Sequence, residues 1–492
     1  MPNIRVVYIL VVTSIVTTSM LEAMSMFVAR ERELAELEDC YRQPTFQMVV
    51  LYGRRRVGKT ALLEEFSRGK RALMFTAQQQ GERDNLCDFS RTLYEFFGMP
   101  STLPAFSNWL DAFEFLAEKA SGEKLLIVFD EFPYAAKATP QLPSALQIAI
   151  DRWLAKTQAM MVLCGSNQGF MEDEVLGEKS PLYGRRTAQM KLRPFDYFDA
   201  ARMLPDMPAA ERVVYYASLG GTPYYLAALR SEETYLQNVT RLFFERTGLM
   251  FDEPGMLMRQ ELREPSMYHS ILRAIAHGAN RSNEIADCIG IPSSSITMYL
   301  KTLSGLDIIE RAVPFGEPEK SKRSRYRIKD PALAFWFRFV APFVPAVESG
   351  LGAQTAARLL GGPQLSEYVG RMFERVCLEW LAREAQADRL PVQPTRFGSW
   401  WGTDPRTRAQ DDIDVIAADD IDKRVILGEC KWRASFDESE ALAKLEDRQA
   451  LVPGYREHWR YLFTKELVSE ATRRKVANDS HVRFVTVEDL FT

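Results

Sequence analysis

Short apolar runs alternate with longer amphipathic stretches from Phe27 to about Arg193. QMVVLY (Gln47–Tyr52), ALMFT (Ala72–Thr76), KLLIVF (Lys124–Phe129) and MMVLC (Met160–Cys164) are short, apolar and mostly unalternated. Strands covered on both faces read this way, so the pattern predicts a parallel sheet wrapped by helices. From Pro194 to about Pro254 the spacing turns helical, rich in Tyr, Phe, Leu and Ala. Pro265–Asp330 predicts several short helices and then a charged hairpin. The hydrophobic connector Pro331–Val344 leads to the Gly/Pro punctuation at Gly361–Pro363. Beyond it one long helix is expected over Leu365–Ala387, followed by strands and helices to the end. The fold class expected is therefore α/β and multidomain, with no internal repeat.

Between the first strand and the helix TALLEEFSR lies GRRRVGKT, Gly53–Thr60. A strand, a Gly-rich turn and a helix start make a phosphate cradle. Gly53 and Gly58 let backbone N–H groups turn toward a polyphosphate, and the helix N-terminus adds its dipole. Lys59 is placed to reach the outer phosphates and the Thr60 hydroxyl to ligate Mg²⁺, which predicts ATP with Mg²⁺ as cofactors. KLLIVFDEFPY then delivers Asp130 and Glu131 at the carboxyl end of a strand, the edge where ligands bind in open α/β sheets. Asp130 is expected to hold Mg²⁺, largely through water, and Glu131 to polarise the attacking water. Ser166 and Asn167 end the next strand as candidate γ-phosphate sensors. In PLYGRR, either Arg185 or Arg186 is a candidate arginine finger.

Two further segments carry chemistry. IADCIGIPSSSITMYLKTL has a helix–turn–helix rhythm, and EKSKRSRYRIKD (Glu319–Asp330) follows as a basic hairpin suited to DNA phosphates. Lys301 is the one cation of the would-be reading helix, so base recognition looks poor. Near the C-terminus, QDDIDVIAADD sets Asp412 and Asp414 two apart on one strand, and VILGECKW sets Glu429 and Lys431 two apart on the next. Two carboxylates and an ammonium at one strand end suit a Mg²⁺-dependent attack on a phosphodiester, with Glu374 of the long helix as a third metal ligand.

FVARERELAEL (Phe27–Leu37), the P-loop, LLIVFDEFPY, LCGSN, PLYGRR and LGGTPYYL together resemble the archaeal-type ATPases, P-loop proteins of the AAA-related STAND class. The resemblance covers nearly the whole chain from Phe27. It implies an ATPase with a helical lid, a winged helix and a C-terminal domain of the PD-(D/E)xK nuclease type. Residue by residue, it places Arg30 near the nucleotide, although Ala29 stands where the family has Gly. It matches Asp414, Glu429 and Lys431 to the nuclease motif and Glu374 to its helix acid; Asp412 departs from the usual Glu. The organisation expected is residues 1–25 as a disordered or over-extended start, 26–193 the ATPase core, 194–264 the lid, 265–330 the winged helix, 331–362 a connector and 363–492 the nuclease-like domain.

Composition narrows the choice of function. The 492 residues are 46% hydrophobic and 26% charged, with a net charge of -4, so any nucleic-acid contact must be a local patch. Six scattered cysteines without a CxxC pair suit a reducing cytosol and argue against a disulfide framework or a zinc site. Val6–Val16 is apolar but too short to span a bilayer, so no membrane partner is expected. Beside a membrane-associated ATPase, which rests on Val6–Val16 alone, two functions remain: an ATP-driven switch with a nuclease effector, or a non-cleaving regulator whose terminal domain binds a partner. A protein partner or a second copy of the chain is compatible with both.

Overall fold

The computed structural model describes residues 27–100, 102–262 and 264–492; the expectation for residues 1–25 lies outside them. The described chain forms two compact units. One comprises the residues up to Pro194 with Thr222–Ala227, the other Phe195–Gly221 with Ala228–Thr492. The segments expected as lid, winged helix, connector and nuclease-like domain therefore fall, apart from Pro194 and Thr222–Ala227, in the second unit.

The first unit is built on five parallel strands, β1 (Gln47–Tyr52), β2 (Ala72–Thr76), β3 (Leu126–Asp130), β4 (Met160–Gly165) and β5 (Ala188–Lys191), in the order β2-β3-β4-β1-β5. Every residue of β1, β3 and β4 is buried, which is why their sequences run apolar without alternation. Helix α1 (Glu31–Arg42) and helix α2 (Lys59–Ser67) accompany β1. Phe75, Phe89, Trp109 and Phe129 form an aromatic core cluster, with ring centroids 5.0–5.9 Å apart. β5 is an addition to the sequence reading.

In the second unit, helices α3 (Pro265–Ala276), α4 (Ser282–Ile289) and α5 (Ser293–Gly305) precede an antiparallel ribbon of β6 (Ile309–Ala312) and β7 (Arg325–Ile328). α5 buries Ile296, Leu300 and Leu303 and leaves Thr297, Met298 and Lys301 exposed. The long helix α6 spans Pro363–Gln386. It lies beside a mixed five-stranded sheet in the order β12-β11-β10-β9-β8: β8 (Arg396–Thr403), β9 (Gln410–Asp419), β10 (Arg424–Lys431), β11 (Glu457–Thr464) and β12 (Val482–Thr486). β8, β9 and β10 are antiparallel; β10, β11 and β12 are parallel. Helix α7 (Glu438–Arg448) connects β10 to β11. Among the described residues no helix is long and apolar enough to cross a membrane.

Candidate functional site

The turn between β1 and α2 has the form expected of a phosphate cradle. Gly58 caps α2 at φ 90°, where a side chain would be strained. Gly53 is required for a different reason: a Cβ there would stand 2.2 Å from the Leu192 carbonyl oxygen, because the chain beyond β5 passes directly against it. Gly53→Ala is accordingly expected to displace the turn, lowering both melting temperature and ATP affinity; unchanged values in a melting and binding assay would refute this. The Lys59 ammonium folds back onto the carbonyl oxygens of Gly53 (2.8 Å) and Arg54 (3.0 Å). Burial pushes its pKa down, offset in part by Cys164, Glu131 and Asp130.

Thr60 Oγ1 donates to Asp130 Oδ2 at 2.9 Å, so β3 brings its carboxylate to the helix start. Glu131 follows in a left-handed conformation (φ 50°), and the Ser166 hydroxyl from β4 donates to its two oxygens at 2.8 and 2.9 Å. Ser166 thus touches the candidate base directly. Asn167 instead caps a short turn, accepting from the Phe170 N–H at 2.9 Å. Arg185 is engaged by both oxygens of Asp151 (2.8 and 2.7 Å), and Arg186 donates to the Leu176 carbonyl. Arg30 holds the cradle from behind, donating to the carbonyls of Val57 (3.1 Å) and Arg193 (2.7 Å). Ala29 and Arg30 both have positive φ (61° and 72°), which accounts for glycine being favoured at position 29.

Thr222–Ala227 lies over this cradle. Arg54 donates to Thr222 Oγ1 at 3.2 Å, the Arg56 guanidinium sits 4.6 Å from the Tyr224 ring centroid, and Pro223 stands 3.9 Å from where a Cβ on Gly58 would be. The chain leaves the second unit at Gly221 and returns to it at Ala228.

In the second unit, Asp414, Glu429 and Lys431 come together at the adjoining ends of β9 and β10. Asp414 Oδ2 accepts from the Cys430 N–H at 2.7 Å. Glu429 is buried and pairs with Lys431 on its own strand, as the two-residue spacing requires. Burial, then the Glu429 carboxylate, push Asp414 up to about 7; burial, then Asp414 and Asp412, push Glu374 up to about 8. Arg448, at the end of α7, is the residue the sequence reading missed. It is buried, pairs with Glu429 and Asp411, and lies 3.5 Å from Asp412. Nothing in the local pattern of α7 marks it. Glu429 is thus already neutralised by two cations, and among the described residues no three His, Cys, Asp or Glu side chains form a group able to hold a metal ion. The three-carboxylate shell of Glu374, Asp414 and Glu429 is not assembled in this arrangement.

The basic hairpin is also more committed than its sequence suggests. Arg323 pairs with Glu317 and donates to the Trp401 carbonyl, Arg327 pairs with Glu310, and Lys329 with Asp307. Lys320 and Lys322 are exposed.

The parallel sheet and its cradle define a P-loop nucleoside-triphosphatase. Residues 27–229 match an ATPase domain found predominantly in Archaea, and residues 336–443 match a family of archaeal and bacterial proteins of unknown function. An uncharacterized protein of Methanocaldococcus jannaschii is 33% identical over 408 residues, covering 83% of this chain and 88% of that protein. The chain belongs to this family of archaeal-type ATPases. An uncharacterized ATP-binding protein of the same organism is 46% identical over 46 residues, 9% of this chain and 78% of that protein. The solved Walker-type ATPase of Pyrococcus abyssi shares 23% identity, with a TM-score of 0.48, over 63% of this chain and 96% of its own.

Proposed function

We propose that the protein is an ATP-dependent switch of the STAND type whose second unit carries a DNA-contacting winged helix and a Mg²⁺-dependent phosphodiesterase site. The observation that carries the switch is Thr222–Ala227, which lies on the cradle while its flanking residues belong to the second unit. A change at the phosphates is passed to the chain on both sides of that segment.

At the cradle, Thr60 and Asp130 offer a hydroxyl and a carboxylate side by side, oxygen donors that suit Mg²⁺. The cation, when bound with ATP, neutralises charge on the outer phosphates. Lys59 exchanges its two carbonyl partners for phosphate oxygens. Glu131 leaves Ser166 to accept a proton from the attacking water. Glu131→Gln is expected to retain ATP affinity and to slow turnover by roughly 10²–10⁴-fold, the usual contribution of a general base. A normal turnover rate would assign the base elsewhere.

In the second unit, Asp414 and Glu429 suffice for Mg²⁺, which commonly takes one or two carboxylates and keeps its waters. Arg448 must then yield its hold on Glu429, and Lys431 is freed to stabilise charge on the attacked phosphate. Glu374 stands beside the pair as a carboxylic acid. The second reading, a non-cleaving regulator, is favoured by the same Arg448, which closes the carboxylate cluster without a metal. Cleavage of DNA by the purified protein with Mg²⁺, lost in Asp414→Ala, separates the two readings. Cytoplasmic residence and a protein or self partner complete the proposal.

A further inference from the structure

The ribbon and three of the acids, Glu374, Asp412 and Asp414, line one cavity of about 540 Å³. Arg325 and Arg327 line it from β7, Arg371 from α6, Trp401 from β8, and Asp412 and Asp414 from β9. The volume lies within the roughly 300–1,000 Å³ of small-ligand sites. That space suits one or two nucleotides.

Cationic and aromatic groups face the acids across this space. The Arg325 guanidinium lies 4.9 Å from the Trp401 ring centroid, and both are groups on which an unpaired base can stack. Arg371 is exposed and, among the described residues, makes no hydrogen bond or ion pair. Among the described residues Arg327 pairs only with Glu310, on the neighbouring strand.

We propose that this cavity binds a nucleoside phosphate with an unpaired base, presented as the single-stranded part of a nucleic acid. Arg371 and Arg327 take the phosphate, and the base extends the Arg325–Trp401 stack. The ribbon then acts as one wall of the site and not as a separate arm on a duplex. This inference rests on reading Asp414, Glu429 and Lys431 as a phosphodiesterase site, and it supplies that site's substrate class.

The test is fluorescence anisotropy at low salt, with EDTA, of a short labelled oligothymidylate and of the same length as duplex. Thymidine monophosphate serves as competitor. The single strand is expected to bind roughly ten-fold tighter than the duplex, as stacking on a sequence-tolerant platform requires. Arg371→Glu is expected to abolish that preference and Arg371→Lys to restore most of it, with melting temperature and ATP binding unchanged. Equal or tighter duplex binding, no effect of Arg371→Glu, or no binding of strand or nucleotide overturns the proposal. Thymidine monophosphate competing as well as the strand supports the same chemistry with a free nucleotide as its source. A strand bound but not cut when Mg²⁺ is added supports the cavity and removes the phosphodiesterase reading. Duplex cut without strand preference does the reverse.

Discussion

Lys59→Ala is expected to weaken ATP binding by roughly 10–10²-fold, the scale of losing a hydrogen bond to a charged group worth about 1.5–3 kcal/mol. The reason lies in how the turn uses its cations. Arg54 reaches Thr222, Arg55 pairs with the Tyr134 hydroxyl, and Arg56 stacks on Tyr224, so three of the four basic residues between Gly53 and Thr60 serve the surrounding protein. Lys59 alone folds inward, with its ammonium on the Gly53 and Arg54 carbonyls. Its removal leaves the outer phosphates without that charge and two carbonyl oxygens without their donor. The second loss is a stability effect, so a calorimetric titration with a non-hydrolysable ATP analogue should be run beside a melt. Undiminished affinity in a folded variant would sink the assignment of the cradle.

Much of the first unit was legible because burial writes itself into composition. β1 and β2 have the bounds that their apolar runs define, and β3 and β4 differ by a residue or two at their ends. β5 was not legible: AQMK is a four-residue edge strand with one buried side chain, and its place beside β1 is set by pairing. The cradle was readable for a related reason, since glycine, lysine and threonine at fixed spacing act within one turn. Partners distant in sequence were not readable. Arg185 looks free in PLYGRR, yet Asp151 lies 34 residues away in sequence and meets it with both oxygens. The hairpin's cations look like a phosphate track, but Glu310 and Asp307 claim two of them across 17 and 22 residues. Arg448 ends a helix of ordinary surface charges, and only the packing of α7 on β10 and β11 brings it to Asp411 and Glu429.

That arginine shapes the expected behaviour of the acidic site. Asp414→Ala is expected to remove Mn²⁺ or Mg²⁺ binding and phosphodiester cleavage together, because one of two carboxylates is lost. Lys431→Ala should keep cation binding, since Glu429 loses a competing ammonium and no ligand, while cleavage falls by roughly 10²–10³-fold for want of charge at the phosphate. Arg448→Ala separates architecture from chemistry. Buried Glu429 and half-buried Asp411 would be left without its guanidinium, a loss of about 3–5 kcal/mol for a buried pair broken on one side. A divalent cation should restore much of that stability by taking the arginine's place between the carboxylates. Metal titrations followed by calorimetry and by melting temperature read both effects, and ATP turnover is expected to persist in all three variants because the cradle belongs to the other unit. If Arg448→Ala melts at the same temperature with and without Mg²⁺, the carboxylates do not share a cation, and the cluster is a closed structural network held by arginine.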